Sequence, residues 1–215
     1  MFRNIVSNEL FTVLLVIGLA IIAIAKLTAP KRFDDFIVVL GKNKYLKIYS
    51  REQRFLDKFD GLLFINLVIS LSVFCYIFYQ ISIEKFAVSV NDIFKLSVGI
   101  AAFILIKVLI ERLVASLFEI DKLIDKYLFQ KITYKNYLGI LLLPINALLL
   151  FTLHPNLKLL YLIIALILII NIAGLISSYK TNLSVIKTNL FYFILYLCAL
   201  EIAPYVILYK VFFVT

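Results

Sequence analysis

Histidine, cysteine and glycine are scarce in this chain, and each shortage excludes a kind of site. A single histidine, His154, excludes haem or zinc centres built from several histidines of this chain. The two cysteines, Cys75 and Cys198, form no C-x-x-C unit, and their spacing indicates no metal site. There are six glycines, and neither a Gly-rich phosphate loop nor a nucleotide-binding fingerprint occurs. The sequence therefore predicts no cofactor and no metal.

Catalytic groupings are also missing from the pattern of polar residues. Serine, histidine and aspartate are nowhere spaced as a catalytic unit, and His154 stands in a short turn before Pro155. General acid–base catalysis would fall to carboxylates inside apolar segments. The interpretation leans towards a protein that is not an enzyme, with no catalytic residue assigned.

Apolar residues, in contrast, dominate the chain. They make up 64% of it, and its mean hydropathy is +1.05. That much apolar surface indicates an integral membrane protein, since soluble domains are nearer half apolar. The apolar runs have helical length and do not alternate, which favours an all-α bundle over an outer-membrane barrel. The whole chain, 1–215, is predicted to be a single polytopic membrane domain.

Six segments are long enough, or nearly so, to cross a bilayer. Their predicted limits are 9–25, 61–83, 93–118, 137–153, 158–177 and 189–213. Five spans are the main alternative. The first segment also resembles a cleaved signal peptide, because Arg3 precedes a short apolar core that ends in Ala23-Ile24-Ala25. Orientation favours its retention as a span.

Lysine and arginine placement predicts the orientation. The connections after the first, third and fifth spans hold most of the basic residues, and the opposite side holds few. Basic connections stay in the cytoplasm, so both termini are expected outside, in the periplasm.

The connection at 26–60 is the only sizeable polar piece. Its apolar residues cluster on either side of a break at Gly41-Lys-Asn-Lys44. This pattern predicts two short amphipathic helices on the membrane surface, basic outward and aromatic inward, with contacts to anionic lipid. The alternative is a basic loop that only fixes orientation.

Four charges fall inside apolar segments and are the main candidates for a functional site. They are Lys107, Glu111 and Arg112 in the third segment and Glu201 in the sixth. Ionisable groups in hydrocarbon usually face a protein interior or a hydrated cavity. Lys107 and Glu111 share a helix face and can pair, and Lys107 lies roughly midway along its segment, at a depth similar to that of Glu201. Pro204 opens a polar notch beside Glu201 by freeing a backbone carbonyl.

Four roles remain open for this polar group: fixing helix packing, relaying protons or ions, forming a polar cavity for a substrate headgroup, and pairing with a charge of another protein's helix. The amides inside the predicted spans, Asn66, Asn146 and Asn171, are expected to bond between helices. The third helix is expected to continue past residue 118 as an amphipathic extension, because its helical periodicity persists through Ile124.

The last segment resembles a Bacteroidota family of polytopic inner-membrane proteins of unknown function. The likeness rests on an F-Y-x-x-L-Y-x-C-x-L-E-I-x-P signature, here Phe191-Tyr192, Leu195-Tyr196, Cys198, Leu200-Glu201-Ile202 and Pro204. A long basic connection near the N-terminus, with Tyr45-Leu46 and Tyr49, also looks similar. The resemblance implies a bacterial inner-membrane location and assigns no activity, cofactor or site residue.

These observations favour a non-enzymatic component, or assembly partner, of a cell-envelope membrane complex. Its expected partners are the lipid bilayer and other membrane proteins, and no nucleic acid. The first alternative is a small proton-coupled transporter or channel that uses Glu201, Lys107 and Glu111. A weaker alternative is an intramembrane lipid-modifying enzyme.

Overall fold

The computed structural model describes residues 9–41, 44–50, 57–83, 90–118, 121–153 and 156–188. Every regular element within these ranges is a helix, as the composition predicts. The helices are α1 Glu9–Thr28, α2 Pro30–Ile37, α3 Lys44–Tyr49, α4 Lys58–Ile83, α5 Val90–Leu117, α6 Asp121–Phe151 and α7 Leu157–Thr188. Five of them, α1, α4, α5, α6 and α7, are long and apolar enough to cross a membrane.

The first five predicted spans correspond to these five long helices, although the limits differ. α6 begins well before the predicted start at 137, and α7 continues beyond the predicted end at 177. The early part of α6 is polar in composition but is buried by the surrounding chain, which stabilises it as helix. The predicted sixth span, 189–213, lies outside the described residues together with Glu201 and Pro204.

The expected extension of the third helix past residue 118 is wrong. α5 ends at Leu117, Phe118 is in a turn, and the next helix starts at Asp121. The reversal places α6 antiparallel to α5, and Ile124, near the start of α6, is fully buried. Asp121, an acidic residue in the first turn of α6, suits the positive end of that helix's dipole.

α4 and α6 form the centre of the bundle and run parallel. The Asn136 amide donates to the backbone carbonyl of Asp60 at 3.3 Å, and the Asn146 amide donates to that of Ser70 at 2.7 Å. Both contacts join residues separated by the same 76 positions, so the two helices keep one register. α4 also contacts α1, α5 and α7, which surround the central pair.

Gly139 sets the close approach of α4 and α6. A Cβ atom built at this position would lie 2.6 Å from the Cα atom of Leu67 and 3.0 Å from its backbone nitrogen. Small residues of this kind let helix backbones approach within a bilayer.

The short helices α2 and α3 bury their aromatic side chains against this centre. Phe36 and Tyr45 are fully buried. The Phe36 ring lies 5.9 Å from that of Phe59 on α4 and 6.0 Å from that of Tyr137 on α6, and Tyr45 stacks on Phe129 at 5.9 Å. The aromatic face of the connection is therefore part of the protein core.

Candidate functional site

A buried ion pair joins α5 to α6. The Lys131 Nζ atom lies 2.6 Å from Oε1 of Glu111, and the two side chains are 5% and 0% exposed. Lys107, one turn before Glu111 on α5, is also buried. The Lys131 ammonium further lies 5.7 Å from the centre of the Tyr127 ring, whose face attracts a cation. We call Lys107, Glu111, Tyr127 and Lys131 the α5–α6 cluster.

The energetics of this pair depend on both partners being present. Transferring either charge out of water costs several kcal/mol, and only a short contact with good geometry offsets that cost. Oε1 of Glu111 has such a contact, whereas Oε2 is buried without a hydrogen bond from any residue that the structure describes. That oxygen is therefore a buried acceptor with capacity to bind a donor group.

The cluster lies near the end of the bundle at which α4 begins. α5 and α6 are antiparallel, so Lys107, one turn before Glu111, lies at about the height of residue 135. The neighbouring Asn136 bonds to the start of α4 at Asp60. Lys107 lies roughly midway along α5, as expected. It nevertheless lies near one end of the bundle, because α5 extends beyond the start of α4.

The sequence-predicted site residues separate into three groups. Glu111 and Lys107 share the buried side of α5, as their spacing predicts. Arg112 points elsewhere, and its Nε atom lies 3.9 Å from Asp125 Oδ1, with both side chains half-exposed. Glu201 and Pro204 lie outside the described residues, so the contact of Glu201 with Lys107 stays a prediction.

Lys131 is the residue that sequence reasoning missed, because it lies in the basic connection between the third and fourth predicted spans, where a lysine serves as an orientation signal. A signal for it exists. Ile124, Tyr127 and Leu128 precede it at helical spacing, which places this lysine on the apolar stripe of its helix. A cation on such a stripe is expected to find a buried counter-charge.

A second polar cluster ties α2 and α3 to the start of α4. Arg32 on α2 donates to Asp57 and, at 2.7 Å, to Asp60 Oδ2, and its Nε atom donates to the Tyr45 hydroxyl at 3.2 Å. Its guanidinium also lies 4.8 Å from the centre of the Phe59 ring. We call these residues the Arg32 cluster.

The Tyr45 hydroxyl stays protonated within this cluster. Burial raises the pKa of Tyr45, and the charge of Asp60 adds to the rise, against the opposing effect of Arg32. The phenol therefore remains a neutral hydrogen-bonding group at physiological pH.

Removing the Arg32 side chain is expected to release α2 and α3 from the bundle. Arg32→Ala deletes charge-assisted hydrogen bonds to two carboxylates, a loss of about 2 kcal/mol. A cysteine placed at the buried position Leu46, with Cys75 and Cys198 changed to serine, should then react with a soluble maleimide about 30-fold faster. Lys31→Ala, at an exposed position on the same helix, is the control. Equal labelling rates in the two variants would contradict a clamping role for Arg32.

Of the three amides predicted to bond between helices, Asn146 does so, whereas Asn171 bonds within its own helix. Asn146 bonds across to α4, as predicted, whereas Asn171 donates at 3.0 Å to the carbonyl of Ile167 in its own helix. The third, Asn66, is fully buried, and no hydrogen bond joins it to any described group. Across the described ranges, no three His, Cys, Asp or Glu side chains are grouped to hold a metal ion.

The five candidate spans place the chain in the class of α-helical membrane proteins with several spans. Its sequence matches the family "Domain of unknown function (DUF4271)" over residues 11–212, and the chain belongs to that family. The membership confirms the expectation of a family without an assigned activity. No curated protein and no solved structure matches the chain.

Proposed function

We propose that this protein is a non-enzymatic component, or assembly partner, of a cell-envelope membrane complex. The observation that carries the proposal is the exposure of α5. Between Phe94 and Ile106, no side chain of this helix is buried, whereas its later part supplies the α5–α6 cluster. α5 is thus anchored near both ends, by Ile93 in the apolar core and by the α5–α6 cluster, and the part between them presents a largely uncovered apolar surface.

Gly99 gives this surface a feature that suits a partner helix better than lipid alone. A Cβ atom built there would meet nothing within 4 Å. Ser97, Ala101 and Ala102 lie near it in the sequence, so this part of α5 is narrow. Helices in bilayers associate through such small residues, because backbones can then approach closely.

The proposed location is the inner membrane of a bacterium, of the Bacteroidota by the resemblance of the last segment. The basic connections would face the cytoplasm, and both termini the periplasm. Lys31, Lys44 and Lys47 are exposed on α2 and α3, while the aromatic residues of those helices are buried. This outward charge supports contact between the 26–60 connection and anionic lipid headgroups.

The test is affinity purification from the native host with mass spectrometry, on wild type and two glycine variants. We expect stoichiometric unrelated membrane subunits with the wild type and their loss with Gly99→Leu, which obstructs close helix packing. Gly61→Leu is the matched control, since the space around Gly61 is also open. If the same subunits co-purify with Gly99→Leu, α5 is not the docking surface. A wild-type protein that purifies as a lone monomer or homodimer would contradict the component role.

A small proton-coupled transporter or channel is the second candidate, favoured by the α5–α6 cluster. Glu111 offers an unsatisfied buried carboxylate oxygen beside Lys131, with Lys107 on the same helix. Ionisable side chains buried in membrane segments often mark the ion pathways of pumps and transporters. The same purification separates the two candidates, because a transporter of this size is expected to purify without unrelated subunits.

A further inference from the structure

Three large apolar side chains are exposed at the point where α2 ends. Ile37 is 40% exposed, and Val38 and Leu40 are each 44% exposed. Single exposed apolar residues are ordinary on a protein surface, whereas a group of them marks a contact with a partner or a membrane. Three such residues within four positions of a polar connection form a group of this kind. We call Ile37, Val38 and Leu40 the α2–α3 tip.

The backbone around the tip holds its side chains outward. Phe36 and Val39, which alternate with the tip residues, are fully buried. The Val39 amide donates to the carbonyl of Phe36 at 3.0 Å, and the Gly41 amide donates to that of Val38 at 3.0 Å. Because two buried side chains and two turn hydrogen bonds fix this stretch, the tip cannot rotate into the core without breaking them.

The tip lies at the level where three candidate spans begin or end. Only Ala29 separates the end of α1 from the start of α2. Arg32 of α2 bonds to Asp60 in the first turn of α4. The Phe36 ring lies 6.0 Å from that of Tyr137 on α6, and no charged residue occurs from Tyr137 to the end of that helix. These contacts place the tip beside the edge of the apolar part of the bundle.

The exposed charges around the tip are mostly basic. Over residues 26–41 and 44–50 they are those of Lys26, Lys31, Lys44 and Lys47, with Asp34 as the exposed acid. Lys44 also forms an ion pair with the half-buried Asp35 at 2.9 Å. A surplus of positive charge remains on this surface, and it complements the headgroups of an anionic leaflet.

We propose that the α2–α3 tip inserts below the headgroups of an anionic leaflet, while the lysines around it contact the lipid phosphates. Insertion removes the exposed apolar surface from water, and the basic side chains favour anionic lipid. The aromatic residues of the connection pack on α4 and α6 instead, so this smaller apolar group is the part that reaches lipid. The inference rests on the proposed lipid contact of the 26–60 connection and is independent of the partner role of α5.

The chain contains no tryptophan, so a single introduced tryptophan reports its surroundings without background fluorescence. Leu40→Trp places the reporter in the tip, and Val38→Trp is a second reporter at an equally exposed position. Asp121→Trp is the control in water, since this exposed position lies about 24 Å along α6 from Tyr137. Leu166→Trp, at an exposed position on α7, is the control in hydrocarbon.

The measurement is fluorescence quenching of the full chain in vesicles of equimolar phosphatidylcholine and phosphatidylglycerol. The quencher is a nitroxide carried by a lipid, either on its acyl chain or on its headgroup. We expect the acyl-chain nitroxide to quench Leu40→Trp and Val38→Trp several-fold more than Asp121→Trp, and to quench Leu166→Trp as well. In vesicles of phosphatidylcholine alone, quenching of the two tip reporters should fall.

The outcomes separate insertion from headgroup contact. Acyl-chain quenching of both tip reporters that is no greater than that of Asp121→Trp would overturn insertion. If the headgroup nitroxide still quenches them, the proposed lipid contact of the connection stands without insertion, and if neither nitroxide does, both proposals fail. Equal quenching in the two lipid compositions would overturn the preference for anionic lipid.

Discussion

Lys131→Met is expected to destabilise the protein by about 3–5 kcal/mol, because it leaves the Glu111 carboxylate buried without its counter-charge. The pair is 2.6 Å long and almost wholly shielded from solvent, so no water can replace the lysine. The measurement is thermal or SDS-induced unfolding of purified protein in mild detergent.

Two comparisons make this result specific to the ion pair. Arg112→Met removes the more distant contact with Asp125, which is half-exposed, and should cost less than about 1 kcal/mol. The double variant Glu111→Gln/Lys131→Met should recover at least half of the loss, because it no longer buries an isolated charge. A Lys131→Met variant as stable as Arg112→Met would show that the pair contributes little.

Gly139→Ala is expected to destabilise the bundle by about 3 kcal/mol, since the added methyl group overlaps the Leu67 backbone. The nearest atoms are Cα, Cβ and N of Leu67, none of which can rotate away. α4 and α6 must therefore separate, which stretches the hydrogen bonds that Asn136 and Asn146 donate to the α4 backbone. Unfolding in detergent measures the loss.

Gly99→Ala is the opposite case and the control for helix propensity. Its methyl group meets nothing, so the substitution should be neutral or stabilising by up to about 1 kcal/mol. Leu67→Ala combined with Gly139→Ala should give no rescue, because the clashing atoms of Leu67 remain. Recovery in that double variant would place the overlap on the side chain and contradict close backbone contact.

Composition alone predicts the helical class and the first five long helices, because lipid-compatible segments must be apolar over a fixed length. The turn at Phe118 could not be predicted. No glycine or proline lies between Leu117 and Ile124, and the apolar periodicity continues across the break. What decides the turn is the burial gained when α6 folds back onto α5, a tertiary effect that local sequence does not record.

Only part of the candidate site could be predicted from the sequence, because the burial of the remaining residues depends on tertiary packing. Glu111 and Lys107 are conspicuous because they interrupt an apolar segment, whereas Lys131 lies in a mixed sequence where charges are usual. Its burial depends on which helices surround the polar start of α6. The amide of Asn146 is visible in the sequence, but its contact with Ser70 depends on the parallel register of α4 and α6.

The packing of α2 and α3 also has a consequence for synthesis. Tyr45 stacks on Phe129, which leaves the ribosome 84 residues later, so the aromatic face of this connection has no protein surface to cover it for about 5–15 s. Lysines at the exposed positions Lys31, Lys44 and Lys47 flank that face and oppose its self-association during the wait. The order of translation thus delays the final packing of this connection until the first part of α6 has been made.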